Sequence, residues 1–311
     1  MEPILEVRNV VKQYGDYTAL NSVSLQVPRG SIYGLLGPNG AGKTSLIRII
    51  NQITMPDSGE VFLDGEKLAP HHISHIGYMP EERGLYKTMK VGEQALYLAQ
   101  LKGLSKKEAK AQLEYWFEKL EIQGWWNKKI QELSKGMAQK IQFVVTVLHQ
   151  PKLLIFDEPF SGFDPVNANL IKDEILGLRD KGATIIFSTH RMESVEEMCD
   201  NIALIHQSNK LIEGNLTEVK RQYRSNTFEV GIAPGNIEQF FADMALNTHY
   251  TSEKANFRTL DDELKLEITI PKGSAPRELL NYLMQKGDVT YFVEKIPSVN
   301  DIFIQTVSKK Q

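Results

Sequence analysis

The amino-acid sequence predicts an α/β fold: a mixed, mostly parallel sheet carrying a helical insertion, with a small α+β domain after it. Three observations predict it. Short apolar runs such as Ile32–Leu36 and Leu153–Phe156 have the unbroken character of strands buried on both faces. They alternate with stretches of helical spacing, such as Thr44–Ile53 with Leu46, Ile47, Ile49 and Ile50 on one side. From about residue 225 the texture changes to strand-like runs separated by short helices.

In chain order, residues 4–36 read as a run of strands broken by turn residues at Gly15, Asp16, Pro28, Arg29 and Gly30. After the helix over Thr44–Ile53 come strands at Val61–Leu63 and Ile76–Met79. Residues 88–150 read as a helical subdomain. There Ser105 and Glu108 fit a capping box, and Leu113, Trp116, Phe117 and Leu120 share a helix face. Strands return at Lys152–Phe156 and Ala183–Ser188, with a helix between them. A linker near Gln222–Asn226 divides domain 1–225 from domain 226–311. The second domain has strands at Thr227–Ile232, Leu264–Ile270 and Thr290–Glu294, and helices at Pro276–Gln285 and Val299–Val307.

Composition narrows the class of function. The chain has 311 residues, 41% hydrophobic and 24% charged, as in soluble globular proteins. No stretch reaches the ~18 apolar residues of a membrane-spanning helix, and the start MEPILEVRNV has no secretory pattern. No direct membrane insertion is therefore expected, and any membrane function needs another chain. The single cysteine, Cys199, excludes an internal disulfide and fits the cytoplasm. A net charge of -3 with no basic stripe gives no reason to expect nucleic acid as a partner.

The strongest chemical signal is Gly37-Pro38-Asn39-Gly40-Ala41-Gly42-Lys43-Thr44, a complete G-x(4)-G-K-S/T phosphate loop between an apolar strand and a helix, with Ser45 following. Glycines let successive N–H groups turn toward one point, and the helix start adds free donors. Lys43 brings a full charge to the β- and γ-phosphates of ATP, and the Thr44 hydroxyl can ligate Mg²⁺. The second signal is the apolar strand ending in Asp157-Glu158-Pro159. Ligands of open α/β sheets sit beyond such strand ends. Asp157 would hold Mg²⁺, and Glu158 would act as general base on water.

Between these motifs lies Leu133-Ser134-Lys135-Gly136-Met137, at the opening of a helical run Ile141–Leu148. It resembles the L-S-G-G-Q signature of ABC (ATP-binding cassette) ATPases, with Lys135 and Met137 in place of Gly and Gln. The order along the chain completes the resemblance. The phosphate loop is followed by the helical insertion, the signature, the acidic strand, Ser161-Gly162-Phe163-Asp164 and Ser188-Thr189-His190. Tyr14 stands where the family carries an adenine-stacking aromatic. The resemblance covers roughly residues 3–220 and implies a P-loop NTPase fold of the ABC ATPase type, with ATP and Mg²⁺ bound. Two ATPase subunits, identical or different, would face each other head to tail. Each ATP would lie between the Lys43 loop of one and the Ser134/Gly136 helix start of the other. His190 would contact the γ-phosphate, and Asp164 would link the two sites. In Gly77–Tyr86 the family's glutamine is replaced by Glu81, or by the adjacent Glu82, which puts a carboxylate near the metal and the γ-phosphate, where it would either bind the one or repel the other. Pro80-Glu81-Glu82-Arg83-Gly84-Leu85-Tyr86, the signature variant and Pro297–Phe303 resemble the export-type branch with sodium-extrusion and antibiotic-resistance ATPases. That branch implies a separate transmembrane permease subunit and a peripheral place on the inner face of the cell membrane.

Other features read as structure. His71, His72 and His75 lie in an expected surface loop without a cysteine to complete a metal site. Trp125 and Trp126 read as packing, and Lys106, Lys107 and Lys110 as a solvated helix face. The alternatives are a soluble ABC ATPase acting on the ribosome or nucleic acid, and a non-hydrolysing subunit. One cassette, the absence of long heptads and the negative charge weigh against the first, and intact Lys43, Asp157, Glu158 and His190 against the second.

Overall fold

The computed structural model describes residues 2–82, 84–246, 250–255 and 263–308. Arg83 of the Pro80–Tyr86 stretch lies outside them. The chain divides into two compact units, one built on residues up to Thr217 together with those from Thr306 on, and the other on Glu218–Gln305.

The first unit runs β1 (Pro3–Tyr14), β2 (Tyr17–Pro28), β3 (Ile32–Leu36), α1 (Lys43–Ile50), β4 (Ser58–Leu63), β5 (Glu66–Lys67) and β6 (Ile76–Met79). Helices α2 (Val91–Leu101), α3 (Lys106–Lys119) and α4 (Lys135–Val147) follow. The chain then continues through β7 (Leu153–Asp157), α5 (Pro165–Asp180), β8 (Thr184–Thr189), α6 (Met192–Met198), β9 (Asn201–His206) and β10 (Asn209–Asn215) into α7 (Leu216–Gln222). Two sheets result. An antiparallel sheet has the order β2-β1-β4-β5, and a mixed one the order β10-β9-β3-β8-β7-β6, parallel throughout except for β10.

Burial follows these roles. All residues of β3, β7 and β8 are buried, as strands covered on both faces must be. By contrast, β1 mixes buried positions with exposed Arg8 and Asn9. One core joins the two sheets through Leu20, Val23, Tyr33, Leu35, Leu46, Ile47, Ile155 and Ile186.

Helix α3 opens on the expected capping box. Ser105 N–H donates to Glu108, and Glu108 N–H to the Ser105 hydroxyl. Trp126 packs edge-on to Phe117 and against Gly92, where a Cβ would come within 2.3 Å of the indole. Helix α1 ends at Ile50 rather than Ile53, because Gln52 takes a left-handed φ of 54° and the chain turns toward Pro56. The histidine segment lies at the surface as expected, with His71 and His75 exposed, but not as an irregular loop. It is a 3-10 turn, Pro70–His75, with His72 buried. Elements α6, β9 and β10 are additional to the sequence expectation.

The second unit contains β11 (Thr227–Pro234), α8 (Ile237–Leu246), β12 (Thr251–Lys254), β13 (Leu264–Thr269), α9 (Pro276–Met284), β14 (Gly287–Glu294) and α10 (Val299–Ser308) as far as Gln305. Its sheet is antiparallel, in the order β12-β13-β11-β14, over a core of Phe228, Val230, Ile232, Phe240, Leu266, Ile268, Leu279 and Leu283.

Candidate active site at the carboxyl ends of the strands

The register of the parallel sheet sets the site. Leu36 lies beside Thr189, and Asp157 beside Ser188. The residues that follow β3, β7 and β8 therefore emerge next to one another at the carboxyl edge.

The turn from β3 into α1 needs its glycines. Gly37, Gly40 and Gly42 have φ of 147°, 79° and 114°, which L side chains rarely adopt. Two of them also lack room: a Cβ on Gly37 would lie 2.1 Å from the Ile205 carbonyl oxygen, and one on Gly42 2.2 Å from that of Ala19. Lys43 is buried, and its ammonium donates to the carbonyls of Gly37 (2.7 Å) and Pro38 (3.1 Å). Burial holds its pKa below the ordinary lysine value, while the charges of Glu158, Asp157 and Glu81 act the other way.

A cavity of about 310 Å³ opens here, lined by Tyr17, every residue from Asn39 to Ser45, Glu81, Asp157 and Glu158. The donor set fits a polyphosphate with a hard divalent cation. Backbone N–H groups and Lys43 answer phosphate. The hydroxyl of Thr44 and the carboxylates of Asp157 and Glu81 are the oxygen donors Mg²⁺ takes. Among the described lining residues, three carboxylates against one ammonium leave an acidic surplus that a cation would offset. Asp157 registers that surplus: burial raises its pKa, and Glu158 and Glu81 push the same way.

Glu158 is held more tightly than its sequence context suggests. Its φ is 49°, a left-handed value costly for a non-glycine residue, and its N–H donates to the Ser188 carbonyl at 2.9 Å. Oε1 accepts the His190 N–H at 2.8 Å and contacts His190 Nδ1 at 2.6 Å. Oε2 accepts the Thr189 hydroxyl at 3.1 Å. Because a carboxylate only accepts, the Nδ1 contact places a proton on that nitrogen and leaves Nε2 to face outward. Oε2 keeps a lone pair for a proton.

Not all the residues named from sequence come together. Tyr14 and Tyr17 are cross-strand partners at the tip of the β1–β2 hairpin, but it is Tyr17 that lines the cavity, its hydroxyl donating to the Gly40 carbonyl at 2.5 Å. Tyr14 is exposed, with Lys12 Nζ 5.4 Å from its ring centroid. Ser134, Gly136 and Asp164 lie outside the cavity lining. Ser134 caps α4, accepting the Met137 N–H at 3.2 Å, and Asp164 caps α5, accepting the Asn167 N–H at 3.0 Å. Sequence reasoning missed Tyr17, and it gave no role to Thr189, whose hydroxyl reaches Glu158 only through the β7–β8 register.

Glu66, His71 and His72 bring ligand-type atoms within 4.8 Å of one another. His72 Nδ1 accepts the Ala69 N–H at 3.0 Å, so Nε2 carries the proton and faces Glu66 at 3.5 Å. The Ala69 bond spends Nδ1, and Nε2 is turned toward the exposed Glu66 carboxylate.

Comparison with known proteins accords with this geometry. The ABC transporter family profile matches residues 20–161, and that of the ATP-binding protein DrrA1-3-like C-terminal domain matches residues 214–307. The chain is 40% identical to the ABC transporter ATP-binding protein YhaQ of Bacillus subtilis (strain 168), over 98% of both chains. It is 32% identical to the bacitracin transport ATP-binding protein BcrA of Enterococcus faecalis, over 84% of this chain and 85% of that one. A solved structure of the ATP-binding subunit of an ABC transporter superposes with a TM-score of 0.66 at 31% identity, covering 71% of this chain and 93% of the other. Among the described residues no helix is long and apolar enough to cross a membrane. The chain belongs to the ABC transporter ATP-binding proteins and is an ATPase subunit coupled to transport.

Proposed function

We propose that this subunit drives export through a separate transmembrane permease, working at the cytoplasmic face of the membrane as a head-to-tail pair of ATPase subunits. The observation that carries the catalytic part is the Glu158 carboxylate, fixed by Thr189 and His190 at 2.6–3.1 Å beside the Lys43 cavity. In this reading the loop from Gly37 to Ser45 and Lys43 hold the phosphates of ATP. Thr44, Asp157 and Glu81 hold Mg²⁺, which when bound offsets phosphate charge. Glu158 takes a proton from the attacking water at Oε2. His190, anchored through Nδ1, presents its outer nitrogen toward the γ-phosphate. Tyr14 stacks on adenine while Tyr17 braces the loop at Gly40. Ser134 and Gly136, outside the cavity of their own chain, serve the ATP of the partner subunit, and Asp164 stands where the two sites communicate.

Export is supported by the bacitracin transport relative and by the linearmycin resistance ATP-binding protein LnrL of Bacillus subtilis (strain 168), 30% identical over 86% of this chain. Exposed Ile53 and Met55 after α1, Tyr86 before α2, and Tyr97 and Leu101 on α2 offer apolar area to a permease. Domain 1–225 acts as the motor and 226–311 as an accessory domain.

The test is Glu158→Gln, which keeps the shape but takes no proton. ATP binding should persist, turnover should stop, and ATP should trap a dimer on size-exclusion chromatography. Normal hydrolysis by this variant would remove Glu158 as the base.

A further inference from the structure

Helix α4 begins at the signature and carries three buried polar side chains along one side: Gln139, Gln142 and Thr146, at 1%, 3% and 4% exposure. Their spacing of three and four residues keeps them on one face. A buried glutamine in a packed helix carries a desolvation cost that a leucine would not, so their bonds are informative. Gln139 Nε2 donates to the Pro159 carbonyl at 3.2 Å, and Gln142 Nε2 to the Pro80 carbonyl at 2.9 Å. Thr146 donates back to the Gln142 carbonyl at 2.8 Å and reaches toward that of Tyr78 at 3.5 Å. Gln142 Oε1 is buried with no hydrogen-bond partner among the described residues. The side chain is thus kept for its donor alone.

The two acceptors share one property. Pro159 directly follows Glu158, and Pro80 directly precedes Glu81; both carboxylates line the phosphate cavity. As prolines, neither donates an N–H that could anchor its segment from the backbone side. Consecutive turns of one helix therefore hold the two segments that aim Glu158 and Glu81.

We propose that Gln142 is a positioning residue that sets Glu81 through Pro80, that Gln139 does the same for Glu158 through Pro159, and that α4 thereby ties the Ser134–Gly136 helix start to both carboxylates. This rests on the reading of Glu81 as a metal-site residue and Glu158 as the base. The two glutamines then act on different quantities. Gln142 governs how much Mg²⁺ the site needs, and Gln139 governs turnover at saturating Mg²⁺.

The experiment uses the full chain with Gln142→Met, Gln139→Met, Glu81→Gln and the double variant Glu81→Gln/Gln142→Met, since methionine matches glutamine in length without its donor. ATPase rate is measured against Mg²⁺ concentration, with melting temperature recorded alongside. Losing one hydrogen bond's worth of positioning corresponds to about fivefold. Gln142→Met should raise the Mg²⁺ needed for half-maximal rate about fivefold, and Gln139→Met should lower kcat by about the same factor with the Mg²⁺ curve unmoved. The double variant should match Glu81→Gln alone, because both changes act through one group. Additive effects, a wild-type Mg²⁺ curve for Gln142→Met, or parallel losses in both methionine variants that track melting temperature would overturn the proposal. A wild-type Mg²⁺ curve for Glu81→Gln would instead overturn the metal reading on which it rests.

Discussion

The phosphate loop and the Ser134–Gly136 helix start, which we propose as the two halves of one shared site, are built on opposite plans. On the first side the backbone is closed in. Gly37 and Gly42 sit against carbonyl oxygens with no space for a Cβ, Lys43 is buried, and the residues from Asn39 to Ser45 line one cavity with the carboxylates. On the second side Ser134 is exposed at a helix start. A Cβ on Gly136 would meet only ordinary contacts, 3.5 Å from the Gly162 carbonyl and the Phe163 ring. The intrachain neighbours of Gly37 and Gly42 explain those glycines completely. Nothing in its own chain requires a glycine at 136. The contrast teaches that the phosphate loop is finished within the chain, whereas the open space at Gly136 supports the proposal that this helix start serves the partner's ATP.

The largest expected effect tests the closed half. Lys43→Ala removes the ammonium that faces three carboxylates and the phosphates, and the ATPase rate should fall by about 10²–10³-fold, with most ATP affinity lost. An unchanged rate would break the assignment of the loop.

The glycines sharpen the comparison. Gly42→Ala forces a φ of 114° and a clash with Ala19, and thermal unfolding should report a loss of about 2–4 kcal/mol. Gly136→Ala should melt within about 1 kcal/mol of wild type and bind ATP normally as a monomer, yet hydrolyse poorly. Equal stability losses in the two variants would erase the distinction.

Asp157 offers a smaller, signed effect. Its carboxyl pKa is raised by burial and by Glu158 and Glu81, so the unfolded chain gives up this proton more readily. The nucleotide-free protein therefore loses stability as pH rises from the ordinary carboxylate range through the raised value. Asp157→Asn removes that loss and should raise the melting temperature at neutral pH by about 2–4 °C while abolishing Mg²⁺-dependent turnover. A lower melting temperature would show that the charge is stabilising. Smallest of all, Tyr14→Ala should weaken ATP binding by a few-fold, about 1 kcal/mol of stacking, with kcat retained. The same loss from Tyr17→Phe, which removes only the hydroxyl donated to Gly40, would transfer the role to Tyr17.

How much of this the sequence disclosed depends on how local each feature is. The phosphate loop was legible in full because its spacing encodes its own backbone path, and strands such as Ile32–Leu36 because burial on both faces leaves an unbroken apolar run. Strand β10, Asn209–Asn215, is half-buried along most of its length with no alternation, so no periodicity betrayed it. Helix α6 is only seven residues long. Within the site, the bond from Thr189 to Glu158 exists only through strand register, and Tyr17 depends on the fold of the hairpin over Gly40. Gln139 and Gln142 look like surface positions of an amphipathic helix; they are buried because two proline carbonyls lie opposite them.

The most direct test mixes two dead proteins. Lys43→Ala loses the closed half and Gly136→Ala the open half. In a twofold pair of the two, one site carries both lesions and the other carries neither. If the halves combine across subunits, a one-to-one mixture of the two inactive variants should recover roughly a quarter of wild-type ATPase, because about half the dimers are mixed and each has one intact site. A mixture that stays at the level of its components, or a Gly136→Ala protein that hydrolyses ATP at the wild-type rate alone, would contradict the account.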